Sequence, residues 1–225
     1  VFLEINDTVS IVPEVFFTDR DLDVAEFGGS ITWSTPPDTS QVTYYSIYVA
    51  QNSAGYARSQ VWYDVPVALN YLTLPPEKPI EAFSHIVVYT KSPFTQQSTP
   101  TALQISDSIS NAESIVFVDK DLDLYDVGGN ITWNCTGDVA LVTHFVVYFS
   151  SNETALAERS HIGPDEPGAD SGELVVPADL EPPLFSYGFI AIYTSSSLVE
   201  QTTPAAINVS DTTSSVTGIF FVDHD

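Results

Sequence analysis

Residues 15–33 read VFFTDRDLDVAEFGGSITW, and residues 115–133 read IVFVDKDLDLYDVGGNITW, gap-free at an offset of 100. The same register carries through VTYYSIYVA at 42–50 and VTHFVVYFS at 142–150. Further on, YTKSPFTQQSTPTALQISD at 89–107 matches YTSSSLVEQTTPAAINVSD at 193–211, now at an offset of 104. The chain is an internal repeat, and the four extra residues are expected in a surface loop within about 151–190. A third copy opens at 219–225 with IFFVDHD, while VFLEIND at 1–7 matches TALQISD, the tail of a repeat whose body is missing. Either these residues belong to a longer array, or loose end strands join neighbouring copies.

Each repeat reads as β. Short runs of β-branched and aromatic residues alternate with Pro, Gly, Ser and Asp clusters, and no stretch sustains a helical period. The prolines fall mainly between the runs, as at Pro36-Pro37, Pro75-Pro76 and Pro182-Pro183. A repeat of about 100 residues with some seven short strands fits a two-sheet sandwich. The expected layout is all-β: residues 15–112 and 113–214 form two tandem sandwiches. Residues 1–14 are the last strand of a preceding repeat, or a donor strand, plus linker. Residues 215–225 are the first strand of a third repeat.

The pattern resembles the fibronectin type III and immunoglobulin-like superfamily. A first strand (VFFTD, IVFVD) precedes a second ending in Trp33 or Trp133, then a tyrosine-rich third strand centred on Tyr48 or Tyr148. HIVVYT and FIAIYT stand as the sixth strand, and the last follows Thr-Pro. The resemblance implies an extracellular recognition or spacer module and names no ligand. The chain departs from the superfamily in its acidic insert DxDLD. It also has phenylalanines, Phe83 and Phe185, where a tyrosine corner would supply a hydroxyl.

With 30 acidic and 6 basic residues among 225, the formal net charge is −24. That excess repels phosphate backbones and excludes nucleic-acid binding, which depends on Lys and Arg releasing counterions. It disfavours anionic membranes in the same way. No apolar run is long enough to span a bilayer, and Val1 opens directly into strand-like sequence, so any signal peptide lies upstream or has been removed. The single cysteine, Cys135, forbids an intrachain disulfide.

The acidic insert is the first candidate site. Asp19, Asp21 and Asp23 recur as Asp119, Asp121 and Asp123, and the third copy supplies Asp223 and Asp225. Ca²⁺ takes about six to eight oxygen ligands, which clustered carboxylates can supply. Val24 and Ser30 stand where an EF-hand loop needs Gly and Glu, so an EF-hand is excluded. A junctional Ca²⁺ site would add Glu26 or Asp126 and Asp7, Asp107 or Asp211. The competing reading is an acidic turn before the Gly28-Gly29 and Gly128-Gly129 bends, with Leu22 and Leu122 pointing inward.

Five of the eight asparagines lie in N-x-[ST]: Asn6, Asn130, Asn134, Asn152 and Asn208. With Ser and Thr at about a fifth of the chain, chance gives fewer than two. Alternation with Ile131, Trp133 and Cys135 turns Asn130 and Asn134 to solvent. N-linked glycans, and hence an extracellular or cell-surface location, follow as expectations.

No catalytic motif stands out, and the chain is expected not to be an enzyme. His85, His144, His161 and His224 occupy different repeat positions and read as surface residues. Trp62, Tyr63, Tyr44, Tyr45 and Tyr56 are a candidate sugar platform. The expected function is a structural module of a stalk, fibre or filament, its partners being neighbouring repeats or copies of itself, through strand donation if the end strands pair. The alternative is an adhesin or carbohydrate-binding receptor segment.

Overall fold

The computed structural model describes residues 9–156, 158–180 and 188–223. It divides into two compact units, Val1–Ser108 and Ile109–Asp225. The first holds β1 (Val15–Phe17), β2 (Glu26–Trp33), β3 (Tyr44–Ala50), β4 (Ser59–Gln60), β5 (Val65–Pro66), β6 (Tyr71–Pro79), β7 (His85–Lys91) and β8 (Thr101–Gln104). The second holds β9 (Ser110–Phe117), β10 (Val127–Gly137), β11 (His144–Ser150), β12 (Arg159–His161), β13 (Glu166–Pro167), β14 (Ser171–Leu180), β15 (Phe189–Ser195) and β16 (Ala205–Asn208). Every named pairing is antiparallel.

Each unit is a sandwich of two sheets. In the first, one sheet runs β1-β2-β6 and the other β4-β3-β7-β8, with β5 also on β3. In the second, β9-β10-β14 faces β12-β11-β15-β16, with β13 on β11. Period-2 alternation builds the cores: Ile31, Trp33, Tyr45, Ile47, Leu72, Leu74, Ile86 and Val88 are buried in the first. In the second, Ile131, Trp133, Phe145, Val147, Leu174, Ile190 and Ile192 are buried. Edge-on aromatic contacts seal the two sheets, Trp33–Tyr45 at 5.2 Å and Trp133–Phe145 at 5.4 Å between ring centroids. Cys135 points inward as alternation requires, its thiol 3.2 Å from the Ser110 hydroxyl.

Register places the extra residues of the second repeat in three steps. Tyr48 and Tyr148 are 100 apart, and the strands they sit in pair with Gln60 and His161, 101 apart. Ile31 pairs with Leu72 and Ile131 with Leu174, 102 apart, and by β7 and β15 the offset is 104. The expected four-residue insertion is thus spread over several loops.

The glycine pair creates a bulge. Register slips between Phe27 and Gly29 and between Val127 and Gly129. Gly29 (φ 135°) and Gly129 (φ 151°) adopt backbone that L side chains avoid, and a Cβ there would lie 2.8 Å from the Thr18 carbonyl or 2.5 Å from that of Val118. That closeness lets the acidic loop lie directly on the bulged strand. Residues 1–8, including the expected donor strand, lie outside the described set. Residues 215–223 form no strand, and Ile219, Phe220 and Phe221 are exposed.

Candidate functional site

The acidic insert is a hydrogen-bonded loop: in the first unit Asp19, Asp21 and Asp23 are all nearly inaccessible, and in the second Asp119 and Asp121 are buried while Asp123 is exposed. Asp19 Oδ1 accepts from the amides of Asp21 (3.1 Å) and Gly28 (3.0 Å), and Oδ2 from Ser108 (3.1 Å). Asp21 Oδ1 accepts from Asp23 (3.3 Å), and Oδ2 from Glu77 (2.6 Å). Asp107 Oδ2 accepts from Ala25 at 3.0 Å. The second unit repeats every bond. Asp119 takes the amides of Asp121, Gly128 and Thr212; Asp121 takes Asp123 and Asp179; Asp211 takes Tyr125.

One loop therefore ties together three parts of its own repeat: the bulge, the kinked end of the β6 or β14 strand, and the segment leaving the last strand. The amides it captures have no ladder partner. Ala25, Glu77, Tyr125 and Asp179 sit at φ between 58° and 79°, outside regular strand geometry. A charged acceptor satisfies such donors better than water reaches them. Burial of its carboxyl raises the pKa of Asp19 to about 6 against the pull of these amides. In the second unit the amides of Asp179 and Asp123 hold the Asp121 carboxyl below its ordinary value.

Carboxylate oxygens also gather in two clusters. Asp21, Asp23, Glu26 and Glu77 each place an oxygen within 4.8 Å of the others, as do Asp121, Asp123 and Asp179. Glu77 is raised to about 7 by desolvation, by a hydrogen bond with Glu26 and by the charges of Asp21, Glu26 and Asp23. Asp19 and Asp119 stay outside these clusters. Asp223 is exposed in the trailing segment, and Asp225 and Asp7 lie outside the described residues. Glu77 and Asp179 are the ligand candidates that the sequence reading missed. Leu22 is buried as expected, but Leu122 is 52% exposed: its carbonyl accepts from Ser214 while its side chain stays in solvent.

A second shared constellation lies on the outer face of the β3 and β11 sheets. The Arg58 guanidinium lies 4.8 and 4.4 Å from the ring centres of Tyr48 and Tyr89; Arg159 lies 4.2 and 4.7 Å from Tyr148 and Tyr193. Two of the six basic residues are thus spent folding a loop onto its own sheet by cation–π contact. Arg159 also pairs with Glu200 at 2.8 Å, and Tyr148, whose hydroxyl donates to Glu200, is pushed up to about 12, mainly by burial.

Asn130 and Asn134 project outward from β10, the Asn130 amide donating to Glu173 at 2.7 Å. Asn152 caps a turn, accepting from the Thr154 amide and hydroxyl and from the Ala155 amide. Asn208 is exposed at the end of β16, and Asn6 lies outside the described residues. The aromatic platform breaks up: Tyr45 is core, whereas Trp62 and Tyr63 stand exposed beside a cleft of about 540 Å³ with Gln60 and Asp64. Among the described residues no helix is long and apolar enough to cross a membrane. No protein-family model matches the chain, and no curated protein matches it.

Proposed function

We propose that the chain is a non-enzymatic, extracellular structural repeat protein, built of fibronectin type III-like sandwiches and serving as a stalk, fibre or filament. The observation that carries this reading is what the two repeats share. Their common polar groups bond to backbone or to their own sheet, fixing loops and the chain exit, while the differences lie in loops such as 51–58 and 151–158 and at Trp62-Tyr63 against Gly163-Pro164. The shared carboxylates hold backbone amides of their own repeat, and the oxygens offered to a cation lie within the same loop. The sheet pairing β1-β2-β6 against β4-β3-β7-β8 supports the family resemblance. Apolar residues at 219–222, in the sequence of a first strand, favour pairing with a neighbouring repeat or copy. The outward Asn130, Asn134, Asn152 and Asn208 favour N-glycosylation.

The same reading assigns Ca²⁺ to the carboxylate clusters, as a stiffener of the loop that holds each exit segment. Without a cation, Asp19 and Glu77 have folded pKa values of about 6 and about 7 above ordinary values of 3.8 and 4.5. Their stabilising contribution is then complete below about pH 4 and is lost as pH rises through 6 to 7. Bound Ca²⁺ opposes that loss by favouring the ionised carboxylates. Melting of the full chain at pH 7.5 in EDTA and in millimolar Ca²⁺ tests the assignment: the ion is expected to raise the melting temperature, and Glu77→Gln to shrink the shift. Equal melts in EDTA and Ca²⁺ would remove calcium from the account.

The adhesin reading has one observation behind it, the exposed Trp62–Tyr63 pair beside its cleft. Glycan-array binding that disappears in Trp62→Ala would favour it.

A further inference from the structure

The carboxylate at one position of the repeat has different company in each unit. Asp64 stands two residues before Pro66, which pairs with Tyr44, and Asp165 stands two residues before Pro167, which pairs with His144. In the first unit Asp64 is neutralised by a fixed charge, the Lys91 ammonium at 2.7 Å, with Ser46 and Gln60 donating as well. In the second unit the residue in place of Lys91 is Ser195. Histidines replace two further neighbours, His144 for Tyr44 and His161 for Gln60. His161 Nε2 lies 3.1 Å from Asp165 Oδ1, and His144 Nε2 lies 3.7 Å from Oδ2.

The tautomer of His144 follows from its neighbour. Thr143 Oγ1 donates to the Ser195 carbonyl at 2.9 Å, as Thr43 does to Lys91 in the first unit, where no histidine is present. With its one proton committed, that hydroxyl can only accept from His144 Nδ1 at 3.0 Å. With Nδ1 carrying the ring proton, Nε2 is the nitrogen that faces the Asp165 carboxylate and is the one a cation would take. Arg159 is no substitute, because it is engaged by Glu200 and the two tyrosine rings.

We propose that His144, His161 and Asp165 bind a divalent transition cation of the Zn²⁺ class on the outer face of the second unit. Two imidazoles and one carboxylate select Zn²⁺, Ni²⁺ or Cu²⁺ over Ca²⁺ and Mg²⁺. Tetrahedral bonds of about 2.0–2.1 Å place neighbouring ligand atoms about 3.3 Å apart, and each imidazole already lies 3.1 or 3.7 Å from one of the two Asp165 oxygens. The loop presenting Asp165 is fastened to β11 at both ends, by the Ile162 amide to Val147 and the Gly168 amide to Thr143. The three ligand atoms are not all within 4.8 Å of one another, so the ion would have to draw in the part-exposed His144, now held by Thr143, and His161, now against the Tyr148 ring. The open side leaves room for water or a fourth ligand.

Calorimetric titration of the full chain with Zn²⁺, in excess Ca²⁺ to occupy the acidic loops, tests the site. One ion per chain is expected, with His144→Ala, His161→Ala and Asp165→Asn each weakening it at least about tenfold, since even outer partners of a metal are worth 10–100-fold. All three side chains are surface groups, so an unchanged metal-free melt shows that the variants fold. Co²⁺ gives a second readout, a visible absorption band lost in His144→Ala. Absence of Zn²⁺ binding, or binding indifferent to the two histidines, would overturn the proposal.

Discussion

Asp119→Ala is expected to destabilise the second unit by about 3–5 kcal/mol. The carboxylate accepts from three amides, and each buried donor left without a partner costs about 1–3 kcal/mol. The losses fall on separate pieces of backbone: Asp121 within the loop, Gly128 at the bulge and Thr212 in the exit segment. For a unit of this size the melting temperature of its transition falls by roughly 12–25 °C. Asp119→Asn should fall in between, because its carbonyl oxygen still serves two amides while its NH₂ faces the Thr212 N–H, donor against donor. Calorimetry on the full chain reads both. A loss below about 1 kcal/mol for the alanine variant would mean that water replaces the carboxylate and that the loop is no anchor.

Trp133→Ala is expected to cost a similar 3–5 kcal/mol, by a different mechanism. The indole is almost completely buried, meets Phe145 edge-on across the sandwich and lies against the backbone of Gly172. A Cβ at Gly172 would stand 2.2 Å from the indole Cζ2, so the pair is coupled through shape. Gly172→Ala alone should therefore destabilise strongly, because the new methyl and the indole cannot both keep their places. In the Trp133→Ala background the same change should be close to neutral, since the new methyl enters the vacated space. Denaturant unfolding of the four-variant cycle measures the coupling, and additive losses would contradict the packing described.

Much of this architecture is legible in the sequence because repetition exposes it. The alignment of 15–33 with 115–133 marks the first two strands, the inward tryptophans and the acidic loop together. Alternation along ITWNC places Cys135 inside and Asn130 and Asn134 outside, as found. The alignment fails where loop lengths differ. Glu77 and Asp179 occupy one structural place in LPPEKP and VVPADL, but they are 102 apart, so an offset of 100 or 104 never superposes them. Arg58 and Arg159 are hidden in the same way by an offset of 101, although the shared Arg-Ser pair was a usable signal. The role of Asp19 and Asp119 is illegible for another reason. A carboxylate that caps backbone amides and one that faces other carboxylates have the same letter, and only the positions of Gly28, Ser108, Gly128 and Thr212 show which amides Asp19 and Asp119 hold. The exposed Leu122 shows that a matched residue need not keep a matched burial.

The two units also show how an acidic chain stays folded. Six carboxylates, Asp19, Asp21, Asp107 and their counterparts Asp119, Asp121 and Asp211, hold backbone amides, and two of the three arginines clamp tyrosine pairs.

Electron microscopy of the native assembly tests the structural role most directly. The account predicts a regular filament or stalk built of these sandwiches, with extra density extending from Asn130 and Asn134. Dispersed single particles with bare asparagines would contradict it, and would turn attention to the Trp62–Tyr63 cleft as a place of ligand recognition.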